Sequence, residues 1–217
     1  MSEKSSDLEV EVKFLVDDLA GWRDRLLAAG AVPIKPRVYE QNVRLDTADQ
    51  ALLQRWQLLR LRQDTAVRLT FKGPVAEDIV SEAKVREELE VSVGDFDTAV
   101  RIFQRLGFEP VQVYEKYRET FKLADVEVVL DEMPFGNFLE LEGSEAGIKT
   151  AVSNLDLDWS KRLTTNYLAI MAELKAYYDL PFDDVTFSNF ANVVVSVADM
   201  LGDDYSGKKK ATDEEIR

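Results

Sequence analysis

Apolar and charged residues alternate without a break over Leu8-Glu9-Val10-Glu11-Val12-Lys13-Phe14. Successive side chains of a β-strand point to opposite faces, so Leu8, Val10, Val12 and Phe14 share one face and Glu9, Glu11 and Lys13 the other. The same period returns down the chain. At 56–63 it puts Arg60 and Arg62 on one face, and at 66–72 it sets Val67, Leu69 and Phe71 against Arg68, Thr70 and Lys72. At 84–93, Val85, Leu89, Val91 and Val93 oppose Lys84, Arg86, Glu88 and Glu90. At 112–122, Tyr114, Lys116 and Arg118 fall together; at 125–132, Val126, Val128 and Leu130 oppose Glu127 and Asp131; at 138–142, Leu139 and Leu141 oppose Glu140 and Glu142. With one more strand at 39–45, this predicts eight strands. Short turns such as Asp64-Thr65 and Pro134-Phe135-Gly136-Asn137 join most of them, so the pairing is expected to be mostly antiparallel.

Two stretches carry the helical period instead. Leu19, Trp22, Leu26 and Leu27 form an apolar stripe on a helix that Asp17 or Asp18 caps and Gly30 stops; Phe96, Val100, Phe103 and Leu106 do so on a helix between Asp95 and Gly107. A short helical piece is expected at 50–54 and an acidic loop at 75–82. Beyond Gly143 the pattern predicts helices at 145–154, from Thr164 or Thr165 to residue 179, and at 184–201, then a frayed tail at 203–217 containing Lys208, Lys209 and Lys210. The expected organisation is one α+β domain over 1–180, with a helical extension and flexible tail at 181–217.

Composition narrows the chemistry. At 217 residues, with 46% hydrophobic and 31% charged, the chain reads as globular. No apolar run approaches the roughly 20 residues of a membrane span. The polar N-terminus lacks a secretory core, so a cytoplasmic location is expected and no membrane partner. The formal charge of −14 argues against nucleic acid as a partner. There is no Cys and no His, which removes thiol catalysis, the serine–histidine triad and histidine-bound zinc. Any metal must sit on carboxylates, as Mg²⁺, Mn²⁺ or Ca²⁺ does.

The charged faces allow two arrangements. One is a half-exposed sheet laced with cross-strand ion pairs. The other is a closed sheet whose apolar face points out to the helices and whose charged face points in, around a space that takes one small ligand. Convergent Arg and Lys in such a space suit a polyanion, because guanidinium matches phosphate with paired hydrogen bonds. Carboxylates in the same space would repel that anion unless a divalent cation stood between them. The second arrangement therefore points to a polyphosphate and a metal. The aromatics Trp56, Tyr114 and Tyr167 could stack on a base, but core packing is the expectation for each.

Glu9-x-Glu11-x-Lys13 resembles the signature of the CYTH superfamily, the triphosphate tunnel metalloenzymes. These include class IV adenylyl cyclases, thiamine triphosphatases, inorganic triphosphatases and fungal-type RNA triphosphatases. The likeness covers about residues 8–170. It extends through Asp46-Thr47, Leu59-Arg60-Leu61-Arg62, Leu69-Thr70-Phe71-Lys72-Gly73-Pro74, Arg86-x-Glu88-x-Glu90, Glu115-Lys116-x-Arg118, Asp131 and Glu140-x-Glu142.

The resemblance implies an eight-stranded antiparallel β-barrel, a tunnel with charged interior and helices outside. It implies Mg²⁺ or Mn²⁺ on Glu9, Glu11 and Glu142, supported by Glu140. Arg60, Arg62, Lys72, Lys116 and Arg118 become a triphosphate clamp. Arg86, Glu88, Glu90 and Asp131 fall near the metal, the attacking water or the clamp. Lys13 becomes a ligand to substrate or a partner of the carboxylates. Lys161 and Asn166-Tyr167 stand where family members place a Lys and a Ser-Tyr pair beside a plug helix. The implied activity is metal-dependent hydrolysis of an inorganic, nucleoside or thiamine triphosphate. The alternatives are cyclisation of ATP to cyclic AMP and pyrophosphate, or a binding module without turnover. A monomer or homodimer is expected.

Overall fold

The computed structural model describes residues 8–75 and 79–202. The N-terminal seven residues, the middle of the acidic loop and the Lys208–Lys210 tail lie outside that range.

Eight antiparallel strands close into a barrel in the order β1-β5-β4-β3-β2-β6-β7-β8. The strands are β1 (Leu8–Val16), β2 (Val32–Asp46), β3 (Leu58–Gln63), β4 (Val67–Gly73), β5 (Lys84–Val93), β6 (Glu109–Leu123), β7 (Val126–Met133) and β8 (Gly136–Glu142). Closure falls on β1: Leu8 to Glu11 pair with β5 and Glu11 to Val16 with β8. Once both edges of the sheet meet, the ring of strands is continuous, and the two-residue period sorts side chains into a lining and a jacket.

The jacket is apolar. Helices α1 (Leu19–Ala28) and α4 (Glu145–Asn154) cover the outward Val12, Phe14, Leu139 and Leu141, with Leu26, Ile148 and Val152 fully or nearly buried. The short α2 (Ala51–Gln54) lies between β2 and β3, and helix α3 (Phe96–Arg105) lays Phe96, Val100 and Phe103 over Val43, Leu45 and Leu61. Asp18 and Asp95 cap their helices as the pattern predicts, and Gly30 and Gly107, at φ +86° and +90°, end them in the left-handed conformation that glycine adopts at little cost.

One end of the lining is also apolar. Tyr114 and Phe138 share the inward phase of Lys116 and Glu140, and they meet α5 (Tyr167–Tyr178) through Tyr167, Ile170, Met171 and Leu174. Val185, Phe190 and Val197, from beyond residue 181, join the same cluster. No helix among the described residues is long and apolar enough to cross a membrane.

Three elements depart from the pattern. β2 starts at Val32, not near 39, although Pro33 and Pro36 lie in it. Its first half pairs only with β6, and register shifts flank Pro33 and Lys35, the setting in which a strand tolerates proline. β3 starts at Leu58, and the preceding Trp56 is left-handed at φ 58°. The stretch 184–201 splits into α6 (Phe187–Phe190) and α7 (Val197–Leu201), because Thr186 and Ser196 each turn a side-chain oxygen onto the backbone and start a new helix. The run Val193-Val194-Val195 between them is β-branched and resists helix.

The β3–β4 turn is pinned by charge. Asp64 accepts from Lys35 Nζ, from Arg68 Nη1 at 3.1 Å and from the Ala66 amide at 2.9 Å. Burial alone would raise its carboxyl; those hydrogen bonds outweigh it and hold the pKa far below the ordinary range. A lowered folded-state pKa stabilises above the unfolded value and loses that contribution as pH falls. Asp64→Asn is thus expected to lose about 1.5–3 kcal/mol at pH 7, shrinking towards pH 2. Urea unfolding at the two pH values checks this; an equal loss at both would refute the charge-based account.

Candidate functional site

The lining encloses a cavity of about 1400 Å³. Its chemistry is set by which strands lie side by side. β1 places Glu11 opposite Glu142 and Lys13 opposite Glu140 on β8, and Glu9 opposite Arg86 and Glu11 opposite Lys84 on β5. The carboxylates therefore gather on one wall. β2, β3 and β6 carry the arginines of the other walls, Arg44, Arg60, Arg62 and Arg118.

On the acidic wall, Glu9 accepts from Lys72 at 2.6 Å, and Glu11 binds Lys84 and, at 2.9 Å, Lys13. Lys13 also reaches Glu140 at 3.2 Å. Burial pushes the Glu11 carboxyl up, but Lys13, Lys84 and Lys72 pull it well below its ordinary value. Burial pushes Lys13 down, but Glu11 and Glu140 raise it, so it stays charged. Glu142 differs: burial, then Glu9, Glu140 and Glu127, push its carboxyl up to about 8. It faces like charges with too little positive charge beside it. Among the described residues no three carboxylates are gathered into a closed cage. The donor set fits a hard cation that keeps several waters or takes phosphate oxygens to complete its shell, as Mg²⁺ does, and not a cation held by protein alone.

On the basic wall, Asp131 is fully buried and binds Lys116 at 3.0 Å, Arg118 Nε at 2.6 Å and the Tyr167 hydroxyl at 2.8 Å. Burial would raise it; Arg118 and Lys116 hold it below its ordinary value. Arg60 donates to the Tyr114 hydroxyl at 3.2 Å and to Thr70 Oγ1 at 3.3 Å. Arg62 bonds Glu90 at 3.0 Å and stands 3.7 Å from Glu40. The Nε groups of Arg44, Arg60 and Arg62 are buried and have no hydrogen-bond partner. A buried donor without a partner is costly, and all three side chains belong to residues that line the cavity.

The structure brings nearly all the residues named from sequence to this one cavity: Glu9, Glu11, Lys13, Arg60, Arg62, Lys72, Arg86, Glu88, Glu90, Lys116, Arg118, Glu140 and Glu142 line it. Asp131 sits behind the lining. Lys161 stands exposed on a 3₁₀ turn (Trp159–Lys161) and does not line the cavity. Asn166 caps α5 by accepting from the Ala169 amide, and Tyr167 next to it reaches the lining. Arg86 lines the cavity but binds the carbonyls of Gly73, Trp56 and Lys72. Tyr114 and Tyr167 are buried, but Trp56 is 78% exposed, against expectation, because the chain turns left-handed there before entering β3.

Two charged groups were missed: Arg44, which lines the cavity, and Glu40, buried behind the lining. Glu40 is 1% exposed, between Lys116 and Arg62; burial would raise it, yet Lys116, Arg118 and Arg62 pull it strongly down. The signal was present, since Tyr39, Gln41, Val43 and Leu45 alternate with Glu40, Asn42 and Arg44.

Comparison with known proteins fits this geometry. A protein of Methanocaldococcus jannaschii named as a putative adenylate cyclase is 34% identical over 143 residues, 65% of this chain and 79% of that protein. The X-ray structure of a putative adenylate cyclase from Vibrio parahaemolyticus superposes with a TM-score of 0.65 at 20% identity, over 76% of this chain and 98% of that one. A putative adenylyl cyclase from Hippeastrum, described as having a dominant triphosphatase activity, superposes with a TM-score of 0.52 at 16% identity, over 75% of this chain and 94% of that one. The CYTH domain family matches residues 7–166, most of the chain and every strand of the barrel. With its closed ring of eight strands and its charged lining, the chain belongs to the CYTH domain family.

Proposed function

We propose that the tunnel is the active site of an enzyme that cleaves a triphosphate with the help of a divalent cation, Mg²⁺ or Mn²⁺. One observation carries this reading: Arg44, Arg60, Arg62, Lys72, Lys116 and Arg118 converge on a single cavity that Glu9, Glu11, Glu140 and Glu142 also line. Phosphate oxygens are the acceptors that guanidinium matches best.

In this reading Arg60, Arg62, Lys72, Lys116 and Arg118 hold the phosphate chain in line and oppose the charge that grows as it breaks. Asp131 and Tyr167 hold Lys116 and Arg118 in place from behind. Glu9, Glu11 and Glu142, with Glu140 nearby, would hold the cation, which when bound neutralises phosphate charge and polarises a water. Lys13 stands between Glu11 and Glu140, at 2.9 and 3.2 Å, and offsets part of their charge. Glu88 and Glu90, the remaining lining carboxylates on β5, are the groups placed to orient the attacking water. No step needs histidine, because phosphoryl transfer rests on positioning and electrostatics.

The reaction favoured is hydrolysis of the terminal phosphoanhydride. A second reading, cyclisation of ATP to cyclic AMP and pyrophosphate, is favoured by the name of the Methanocaldococcus relative; the Hippeastrum protein's triphosphatase activity favours the first. Incubation with Mg²⁺ or Mn²⁺ and, separately, tripolyphosphate, ATP and thiamine triphosphate, followed by product identification, decides. Released phosphate is expected. Cyclic AMP with pyrophosphate supports the second reading, and binding without turnover removes both. Glu11→Ala is expected to abolish turnover, and an unchanged rate would reject the carboxylate wall as the cation site.

A further inference from the structure

The segment between β2 and β3 holds a tryptophan in the open. Trp56 is 78% exposed and sits at φ 58°, a region that a bulky residue rarely occupies. Exposure returns nothing hydrophobic for that strain, and such strain persists only where the surroundings enforce it. They do so here from both sides. The Asp46 carboxylate accepts from the amides of Thr47 at 2.8 Å, Leu52 at 3.0 Å and Leu53 at 3.1 Å. The amides of Trp56 and Gln57 donate to Leu53 and Leu52 at 3.0 and 2.8 Å. From β5, Arg86 binds the Gly73 carbonyl at 2.9 Å and clasps the carbonyl of Trp56 itself.

The indole so held lines the same cavity as the clamp, beside Leu53 and Leu58. None of the ring–ring or cation–ring contacts among the described residues includes it. Arg44 lies two residues before Asp46, on the strand that leads into this segment, and lines the same cavity. A free aromatic ring and a guanidinium side chain therefore line the part of the cavity at which β2 ends and β3 begins.

We propose that this part of the cavity is a head-group subsite, in which Trp56 stacks on the planar aromatic group of an organic triphosphate, such as a nucleobase, and Arg44 meets the substrate between that group and the clamp. Asp46 and Arg86 are positioning residues that act through Trp56. This rests on the tunnel's being a triphosphate site and narrows the substrate to organic triphosphates. Stacking on an aromatic side chain is tolerant of which base is offered, so the subsite selects for a ring and not for one nucleobase.

Two measurements on the full chain test it. The sequence has three tryptophans, so Trp22→Phe with Trp159→Phe leaves Trp56 as the sole indole fluorophore. Its emission is expected to quench saturably with ATP and not with tripolyphosphate. In the otherwise unaltered chain, Trp56→Ala is expected to raise the ratio of KM for ATP to KM for tripolyphosphate by about tenfold, and Trp56→Phe to restore most of it. KM values that move together, or a ratio that stays within twofold, overturn the subsite and leave the tunnel reading standing. Binding of neither triphosphate to the unaltered protein overturns both.

Discussion

Asp131→Ala is expected to cost about 3–5 kcal/mol of folding stability, the largest loss from any single polar substitution in the barrel. Asp131 is fully buried, and both its oxygens are engaged. Its removal strands the Lys116 ammonium, 4% exposed in its side chain, and takes from Arg118 its closest acceptor, leaving Glu140 at 3.5 Å. Glu40, at 3.6 Å from Lys116, is already shared with Arg62. The pH dependence has a definite sign. Arg118 and Lys116 depress the folded-state pKa of Asp131 against the pull of burial, so its contribution is present above the unfolded value of about 3.9 and fades as pH falls below it. Urea unfolding at pH 7 measures the loss, and Asp131→Asn, which keeps one acceptor but no charge, should fall between. A loss under about 1 kcal/mol would mean that the barrel tolerates two uncompensated cations in its wall. Tripolyphosphate at saturating concentration should restore more stability to Asp131→Ala than to the unaltered protein, because the freed cations then find phosphate.

Arg60→Ala is expected to lower kcat/KM for a triphosphate by 10²–10³, about 2.7–4 kcal/mol of transition-state stabilisation. The two hydrogen bonds of Arg60 go to neutral hydroxyls, of Tyr114 and Thr70. Its nearest carboxylate, Glu88, is 3.9 Å away. Neutral partners fix the guanidinium without cancelling its charge, and its Nε–H stays unsatisfied. Arg118, by contrast, lies against Asp131 with two hydrogen bonds. Arg60 is thus the clamp residue whose charge is most available to substrate. Arg60→Lys keeps the charge but not the planar fork and should recover only part of the rate. Stability should change little, since only two hydroxyls lose a donor. Steady-state kinetics with the best substrate checks this; a change below fivefold would place the phosphates elsewhere in the cavity.

Local rules decided much of the fold. The two-residue period of β1, β4, β5 and β8 names which side chains share a face, and no tertiary contact is needed to read it. Asp18, Asp95, Gly30 and Gly107 bound their helices through hydrogen bonds to their own neighbours. Where local signals conflicted, reading failed. Pro33 and Pro36 argue against a strand, and only the shifted pairing with β6 admits them. In the same way Thr186 and Ser196 cap new helices inside a stretch whose apolar spacing looks continuous.

The sequence by itself determined that every strand has a greasy side and a charged side, and that acids and bases alternate in an order resembling one family. It could not determine which side is inside, because period fixes a shared face and not its direction. That was decided when β1 paired with β5 and β8 at once and α1, α3 and α4 claimed the apolar side. Nor could it determine partners far apart in the chain: Asp131 meets Tyr167 36 positions away, and Arg86 meets the Trp56 carbonyl 30 positions away. Such pairs depend on strand order and stagger, which the whole barrel sets and no single segment encodes.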